Sequence, residues 1–231
     1  MDEIVDGSVR LRRVVVGHLD TNCWIVTAPN AREALVVDPG DDPDALLAAC
    51  EGFQVRAVVL THAHSDHVLA VPVVAAEWDV PVLAHPADAV VWPTELDFLA
   101  RHGHWDAGTS EARAVPEPGR PIWDGTSTPV TDGHTVTLGP LTATLLHTPG
   151  HTPGGLTVSL PGHLLTGDTL FPGGPGLTGA EWAHSSFDAI MTSVTRLLAF
   201  PDATAIHPGH GESTAVAAER DHVEEWRARG W

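Results

Sequence analysis

Short stretches rich in β-branched residues dominate the start of the chain. Val9 to Val16, Thr21 to Thr27 and Ala34 to Val37 are separated by brief polar breaks, which predicts strands joined by hairpins. Asp41 to Glu51 has acidic residues in its first turn and Pro43 near its start, and reads as a helix. Val55 to Leu60 follows as a buried strand that ends at Thr61-His62. Ser65 to Trp78 predicts the next helix and Val80 to Ala84 the next strand, so this part has a βαβαβ rhythm. Prolines 93, 116, 118, 121 and 129 then loosen the pattern. With one helix near Glu95 to His102, the stretch from about 86 to 129 reads as a cap or substrate-shaping insertion. Strand signals return at Thr135 to Leu138, Leu141 to Leu146, Leu156 to Leu160 and His163 to Thr166. A Pro/Gly-rich loop, Phe171 to Gly179, precedes a helix from about Ser186 to Phe200, whose apolar residues approximate helical spacing. Ala203 to Ile206 reads as a last strand and Ala215 to Arg229 as a last helix. The order suggests two similar halves without a sequence repeat.

A length of 231 residues and 43% hydrophobic content suit one compact α/β domain with a large core. The formal net charge of −18 repels phosphate backbones and anionic lipid headgroups, so neither nucleic acid nor membrane is an expected partner. The partner expected is a small-molecule substrate, and a homo-oligomer stays open. The N-terminus is acidic where a secretory signal is basic and then apolar, which predicts a cytoplasmic protein. The longest apolar run, Val68 to Ala76, is broken by Pro72 and too short for a bilayer. Cys23 and Cys50 read as reduced thiols without a function. Every basic residue is arginine and there is no tyrosine, which excludes a Schiff-base lysine, a Walker lysine and a tyrosine acid.

What the chain has in abundance is histidine. His62, His64, Asp66 and His67 fall within six residues directly after an apolar strand, where a tight turn can aim several donors at one centre. Imidazole and carboxylate suit zinc, iron or manganese. Four such ligands alone could make a single structural or storage site. Three further candidates lie far downstream: His151 in Thr148-Pro-Gly-His-Thr-Pro-Gly, Asp168 in Leu165-Thr-Gly-Asp-Thr-Leu, and His210 in His207-Pro-Gly-His-Gly. Each follows a predicted strand and is flanked by glycine, as expected if strand ends deliver ligands to one rim of a sheet. Two divalent ions about 3.5 Å apart can share a water and hold it as hydroxide beside a polarised carbonyl. No protein nucleophile is then needed. Phe171, Trp182 and His184 are candidate substrate contacts, with packing as the plain alternative. Trp92, Phe98, Arg101, Trp105, Arg113 and Trp123 in the insertion could form an apolar pocket, but core packing of the cap is the simpler reading. The remaining histidines show no distinguishing spacing.

In order, H-x-H-x-D-H, TPGH, TGD and GHG resemble the metallo-β-lactamase superfamily and, within it, the glyoxalase-II-like branch. The resemblance covers residues 38 to 210, with Val37-Asp38-Pro-Gly similar to the family's first motif. It implies a four-layer αβ/βα sandwich with the site at one edge of two facing sheets. It also implies that His62, His64 and His151 bind one metal, that Asp66, His67 and His210 bind the other, and that Asp168 bridges them. Asp38 would support a ligand rather than bind metal. The two ions would be divalent, zinc ahead of iron or manganese, with Asp66 and Asp168 catalytic through the bridged hydroxide. The expected activity is hydrolysis of a small thioester, ester or lactone. Glyoxalase II carries a helical C-terminal extension that helps bind glutathione, whereas only about twenty residues follow His210 here, and the lysine and tyrosine that contact glutathione are missing. Glutathione thioesters are therefore not the expected substrates. Two alternatives stand beside this reading. One is a persulfide dioxygenase-like oxidoreductase with one iron on His62, His151 and Asp168, against which the loop after Asp168 speaks. The other is a non-catalytic metal-binding or partner-binding module.

Overall fold

The computed structural model describes residues 2–102, 119–180 and 182–230, the side chains of 98–102 excepted. In chain order its elements are β1 (Asp2–Asp6), β2 (Val9–Val16), β3 (Thr21–Thr27), β4 (Glu33–Val37), α1 (Pro43–Ala49), β5 (Gln54–Val59), α2 (Ser65–Val68), α3 (Val71–Trp78), β6 (Val82–Ala84), α4 (Val91–His102) and β7 (Thr128–Pro129). The second half comprises β8 (His134–Leu138), β9 (Leu141–His147), β10 (Leu156–Leu160), β11 (His163–Gly167), β12 (Leu170–Phe171), β13 (Gly174–Pro175), α5 (Phe187–Leu197), β14 (Ala205–Pro208), β15 (Thr214–Ala215), α6 (Val216–Glu219) and α7 (Val223–Arg229).

One sheet runs β1-β2-β3-β4-β5-β6-β7 and the other β15-β14-β11-β10-β9-β8. The two halves suggested by the sequence are thus one sheet each. Strand alternation places side chains on opposite faces, and the apolar residues sort into three layers accordingly. Leu11, Trp24, Val26, Leu35 and Val59 of the first sheet meet Leu141, Leu145, Leu156 and Val158 of the second in the central layer. Cys23, Ile25, Val36 and Val58 face outward onto Leu46 of α1, Val74 of α3 and Trp92 of α4. Leu164 and Ile206 face the opposite way onto Ile190, Met191 and Val194 of α5 and Trp226 of α7. The result is a four-layer αβ/βα sandwich in one domain. Because β3 is covered on both faces, all seven of its residues are buried. Trp92 and Trp123 are core residues, as the simpler reading of the insertion had it. Trp105 and Arg113, and the side chains of Phe98 and Arg101, lie outside what is described.

Several elements depart from the sequence pattern. The helix expected over Ser65 to Trp78 is two helices, because Leu69 N–H donates to Gly40 O and Ala70 N–H to Pro39 O. Those bonds pull the chain onto the Asp38–Gly40 turn, and α3 restarts with Pro72 where its missing N–H is harmless. The last helix is likewise divided by a 3₁₀ turn, Arg220–His222, where the Arg220 guanidinium donates to Leu198 O and Phe200 O at the end of α5. The Pro/Gly-rich loop holds the β12–β13 hairpin, turned by Gly173 at φ 85°. Cys23 and Cys50 are both buried and free. No described helix is long and apolar enough to cross a membrane.

Candidate metal centre

Five turns carry the chemistry, all at the C-terminal ends of strands. β4 leads into Asp38, β5 into His62 to His67, β9 into the turn bearing His151, β11 into Asp168 and β14 into His210. Since β4 and β5 are parallel, as are β11 and β14, their ends share a rim within each sheet. Backbone bonds join the two rims: Leu156 N–H donates to Thr61 O at 2.7 Å, and Asn22 N–H to Gly209 O at 2.7 Å. The Asn22 side chain adds donations to Pro208 O and Gly211 O, closing the His210 turn against β3.

All seven sequence-assigned donors converge there. His62, His64 and His151 form one group, Asp66, His67 and His210 a second, and His62, His67 and Asp168 a third between them, with ligand atoms in each group within 4.8 Å of one another. Asp168 occupies the middle. Its Oδ2 lies 3.7 Å from both His151 Nε2 and His210 Nε2, and its Oδ1 lies 3.6 Å from His67 Nε2. Glycine is required at 209, where a Cβ would stand 2.2 Å from Asp168 Oδ1 and 2.8 Å from His67 Cε1.

Partner groups fix which nitrogen each ring offers. A carboxylate or carbonyl only accepts, so a ring nitrogen facing one must carry the proton, leaving the other with its lone pair. His67 Nδ1 donates to Asp38 Oδ2 at 2.9 Å, His151 Nδ1 to Leu177 O at 2.8 Å, and His210 Nδ1 to Leu19 O at 2.9 Å. Thr61 Oγ1 donates to Asp38 Oδ2 at 2.6 Å and so accepts from His62 Nδ1 at 3.1 Å. In their neutral forms four rings therefore turn an Nε2 lone pair inward, and His64 Nδ1 joins them 3.0 Å from His151 Nε2. Thr21 Oγ1 steadies Asp66 Oδ2 at 3.2 Å.

These donors fit a cation. His62 Nε2, His67 Nε2 and Asp168 Oδ1 are buried with no hydrogen-bond partner, an arrangement that costs about 1–3 kcal/mol for each group unless something electropositive sits between them. Tetrahedral ligands about 2.0–2.1 Å from zinc stand about 3.3–3.4 Å apart, and the separations above, 3.0 to 3.7 Å, straddle that value. The charges agree. Burial opposes a charge on His210, but Asp168 and Asp66 outweigh it and raise that imidazole to about 9. His67 is raised well above its usual value by Asp66, Asp38 and Asp168 against the same desolvation. A centre that holds protons this tightly is one that attracts positive charge. His62 is shifted well down by burial and by the neighbouring rings of His67, His64 and His151, which together outweigh the opposite pull of Asp66.

Two carboxylates without any sequence signal brace the ligand loops from behind. Asp88 accepts from Ala63 N, Thr152 Oγ1 and Gly154 N, joining the His62–His67 turn to the His151 turn, and burial pushes its carboxyl up to about 6. Glu95 of α4 accepts from Ser65 N at 3.1 Å. Their partners, three backbone N–H groups and the Thr152 hydroxyl, lie in the ligand turns but are distant in sequence, so only the presence of acids in an otherwise apolar stretch could have hinted at them.

In front of the cluster lies a cavity of about 460 Å³ lined by Leu19, His64, Asp66, His151, Asp168, Phe171, Gly176, Leu177, Trp182 and His210. Phe171 and Trp182, two of the expected substrate contacts, are part of this lining. His184 is not part of this lining; its Nε2 is 3.1 Å from Thr94 Oγ1, which ties the loop after β13 to α4.

The family model described as the metallo-beta-lactamase superfamily matches residues 16–210. The "Probable metallo-hydrolase YqgX" of Bacillus subtilis is 30% identical over 224 residues, covering 92% of this chain and 95% of its own. A hydroxyacylglutathione hydrolase of Anaeromyxobacter dehalogenans is 32% identical over 181 residues, covering 77% of this chain and 57% of its own length. Among solved structures, TTHA1623 in a di-iron-bound form is similar at 31% identity and TM-score 0.72, over 90% of this chain and 96% of that one. The BLEG-1 B3 metallo-beta-lactamase is similar at 27% and 0.70, over 92% and 97%. ETHE1 from Myxococcus xanthus, at 24% and 0.68 over 92% and 82%, shares the fold. Sandwich, rim and ligand order agree with the family match over most of the chain, and this protein belongs to the metallo-beta-lactamase superfamily.

Proposed function

We propose that the chain is a metal-dependent hydrolase with two divalent ions, which adds water to the carbonyl of a small thioester, ester or lactone. The observation that carries this reading is the set of three buried ligand atoms that make no hydrogen bond, His62 Nε2, His67 Nε2 and Asp168 Oδ1, at the centre of seven converging side chains. His62, His64 and His151 would hold one ion and Asp66, His67 and His210 the other, with Asp168 between. Bound there, such ions polarise a carbonyl and bring the pKa of water toward neutrality.

The protein's part is positional. Asp66 and Asp168 face the cavity and accept hydrogen bonds from the attacking water, orienting its lone pair at the carbonyl carbon. The carbon–sulfur or carbon–oxygen bond then breaks, the leaving thiolate or alkoxide takes a proton, and the products are a carboxylic acid with a thiol or alcohol. No serine, cysteine, lysine or arginine is among the described lining residues, which agrees with attack by water rather than by a protein nucleophile. YqgX supports the hydrolytic class by its name, and the di-iron form of TTHA1623 supports a two-metal centre while leaving iron beside zinc as its occupant.

Metal analysis of the purified chain together with a panel of chromogenic thioesters, lactones, esters and β-lactams tests the proposal. The expected result is close to two ions per chain and oxygen-independent hydrolysis. One iron per chain with oxygen consumed on adding a thiol persulfide would replace it with the oxidoreductase reading; full metal loading without turnover would leave a binding module.

A further inference from the structure

The cavity has two unlike walls. His64, Asp66, His151, Asp168 and His210 make one; Leu19, Phe171, Leu177 and Trp182 make the other. No guanidinium and no hydroxyl is found among the described lining residues, so apart from the histidines of the cluster itself a negatively charged substrate group would meet no protein cation among them. The net charge of −18 adds a repulsive field outside the cavity.

The apolar wall is built into the metal centre rather than draped over it. Leu177 and Leu19 hold His151 and His210 through their carbonyls, as described above, and the side chains of the same two residues line the cavity. Trp182 lies with its ring centroid 5.7 Å from that of His64 and 5.4 Å from that of His151. Its loop is pinned by bonds from Trp182 N to Gly179 O, Ser185 N to Trp182 O and Ser186 N to Gly150 O. Leu177 nevertheless leaves 56% of its surface to solvent. A large apolar side chain held open beside a polar centre gains by being covered.

We propose that the substrate's acyl part is uncharged and apolar, an aliphatic or aromatic chain seated on Leu19, Phe171, Leu177 and Trp182 with its carbonyl toward Asp66 and Asp168. This rests on the hydrolytic reading above for the fate of the carbonyl. It excludes specificity founded on a charged carrier such as glutathione, whose carboxylates find no partner in the described lining.

Calorimetric titration of the purified chain with the neutral, non-hydrolysable methyl ketones 2-butanone, 2-hexanone and 2-octanone tests the wall without relying on turnover. Each methylene that enters the cavity is expected to tighten binding about threefold to fourfold. Leu177→Asp, at an exposed position that tolerates charge, and Trp182→Ala should each weaken 2-octanone at least tenfold with metal content retained. S-methylglutathione should not displace it. A flat ketone series, or glutathione derivatives bound more tightly than 2-octanone, overturns the proposal. The same purified chain is then assayed on acetyl, hexanoyl and octanoyl thioesters of a neutral thiol. Ketone binding that rises with chain length without thioester turnover supports the apolar wall and removes the hydrolytic reading. Turnover indifferent to chain length does the reverse.

Discussion

Replacing Asp38 with asparagine changes the acceptor pattern behind the metal centre while leaving the backbone able to stay where it is. Asp38 sits at φ 54°, a left-handed conformation in which asparagine is among the best-tolerated residues. Its carboxylate accepts three donors: Thr61 N at 2.7 Å, Thr61 Oγ1 at 2.6 Å and His67 Nδ1 at 2.9 Å. An amide offers one oxygen. With that oxygen on Thr61 N, the NH₂ faces His67 Nδ1 and Thr61 Oγ1. His67 must then move its proton to Nε2, and the Thr61 hydroxyl must turn toward His62 Nδ1, moving that ring's proton to Nε2 as well. One ligand in each half of the centre loses its lone pair. The opposite amide orientation leaves Thr61 N–H against the NH₂, an unpaired buried donor worth about 1–3 kcal/mol. The second orientation keeps the tautomers and lowers folding stability; the first should lower metal affinity about 10- to 100-fold, the range found when a group that orients a ligating histidine is removed, or about 1.4–2.7 kcal/mol per affected site. Chelator-competition titrations of both ions, with the histidine tautomers followed by nitrogen NMR in the zinc-loaded chain, measure this. An Asp38→Asn protein that keeps two ions at wild-type affinity with Nδ1-protonated His62 and His67 would show that Asp38 does not set the ligand tautomers.

Three further outcomes follow from the same geometry. Asp168→Ala should abolish hydrolysis and metal pairing together, since its two oxygens face both halves of the cluster; a variant that still binds two ions contradicts the central placement. Gly209→Ala should lower thermal stability by about 1–3 kcal/mol through overpacking and loosen metal binding, because the new methyl must displace Asp168 and His67; unchanged melting and metal content count against that close approach. His207 is buried against His163, their ring nitrogens 3.0 Å apart, and burial followed by His163 and Arg13 lowers its imidazole to about 4. The unfolded chain takes up this proton near 6.5 and the folded chain only near 4, so stability is whole above the first value and is lost as pH falls through that window, by about 3 kcal/mol in all. Urea unfolding of metal-free wild type and His207→Asn at pH 7 and pH 4.5 reads the difference, and parallel pH dependences would remove His207 as its source.

Local pattern was enough for the strands, because β-branched runs and their glycine-bounded ends are properties of neighbouring residues; β2 and β3 fall where the alternation put them. The ligand types were legible for the same reason, since H-x-H-x-D-H and three glycine-flanked turns each display their donors within a few residues. Helices were less faithful. The division of Ser65 to Trp78 depends on carbonyls of Pro39 and Gly40, some thirty residues upstream, and no periodicity within the segment records them. His184 illustrates the limit from the other side, placed beside Trp182 in sequence yet drawn away by Thr94.

By itself, then, the order of residues determined which atoms could bind a metal and that strand ends would present them. Folding decided which nitrogen of each ring faces inward, because that is set by Asp38, Leu177 and Leu19 through bonds spanning 29, 26 and 191 positions. It also decided that Asp88 and Glu95 brace the ligand turns and that Leu19, Phe171, Leu177 and Trp182 share a cavity with the carboxylates. Hydrogen bonds and burial depend on distance in space, and two sheets brought face to face make neighbours of residues whose separation along the chain carries no trace of it.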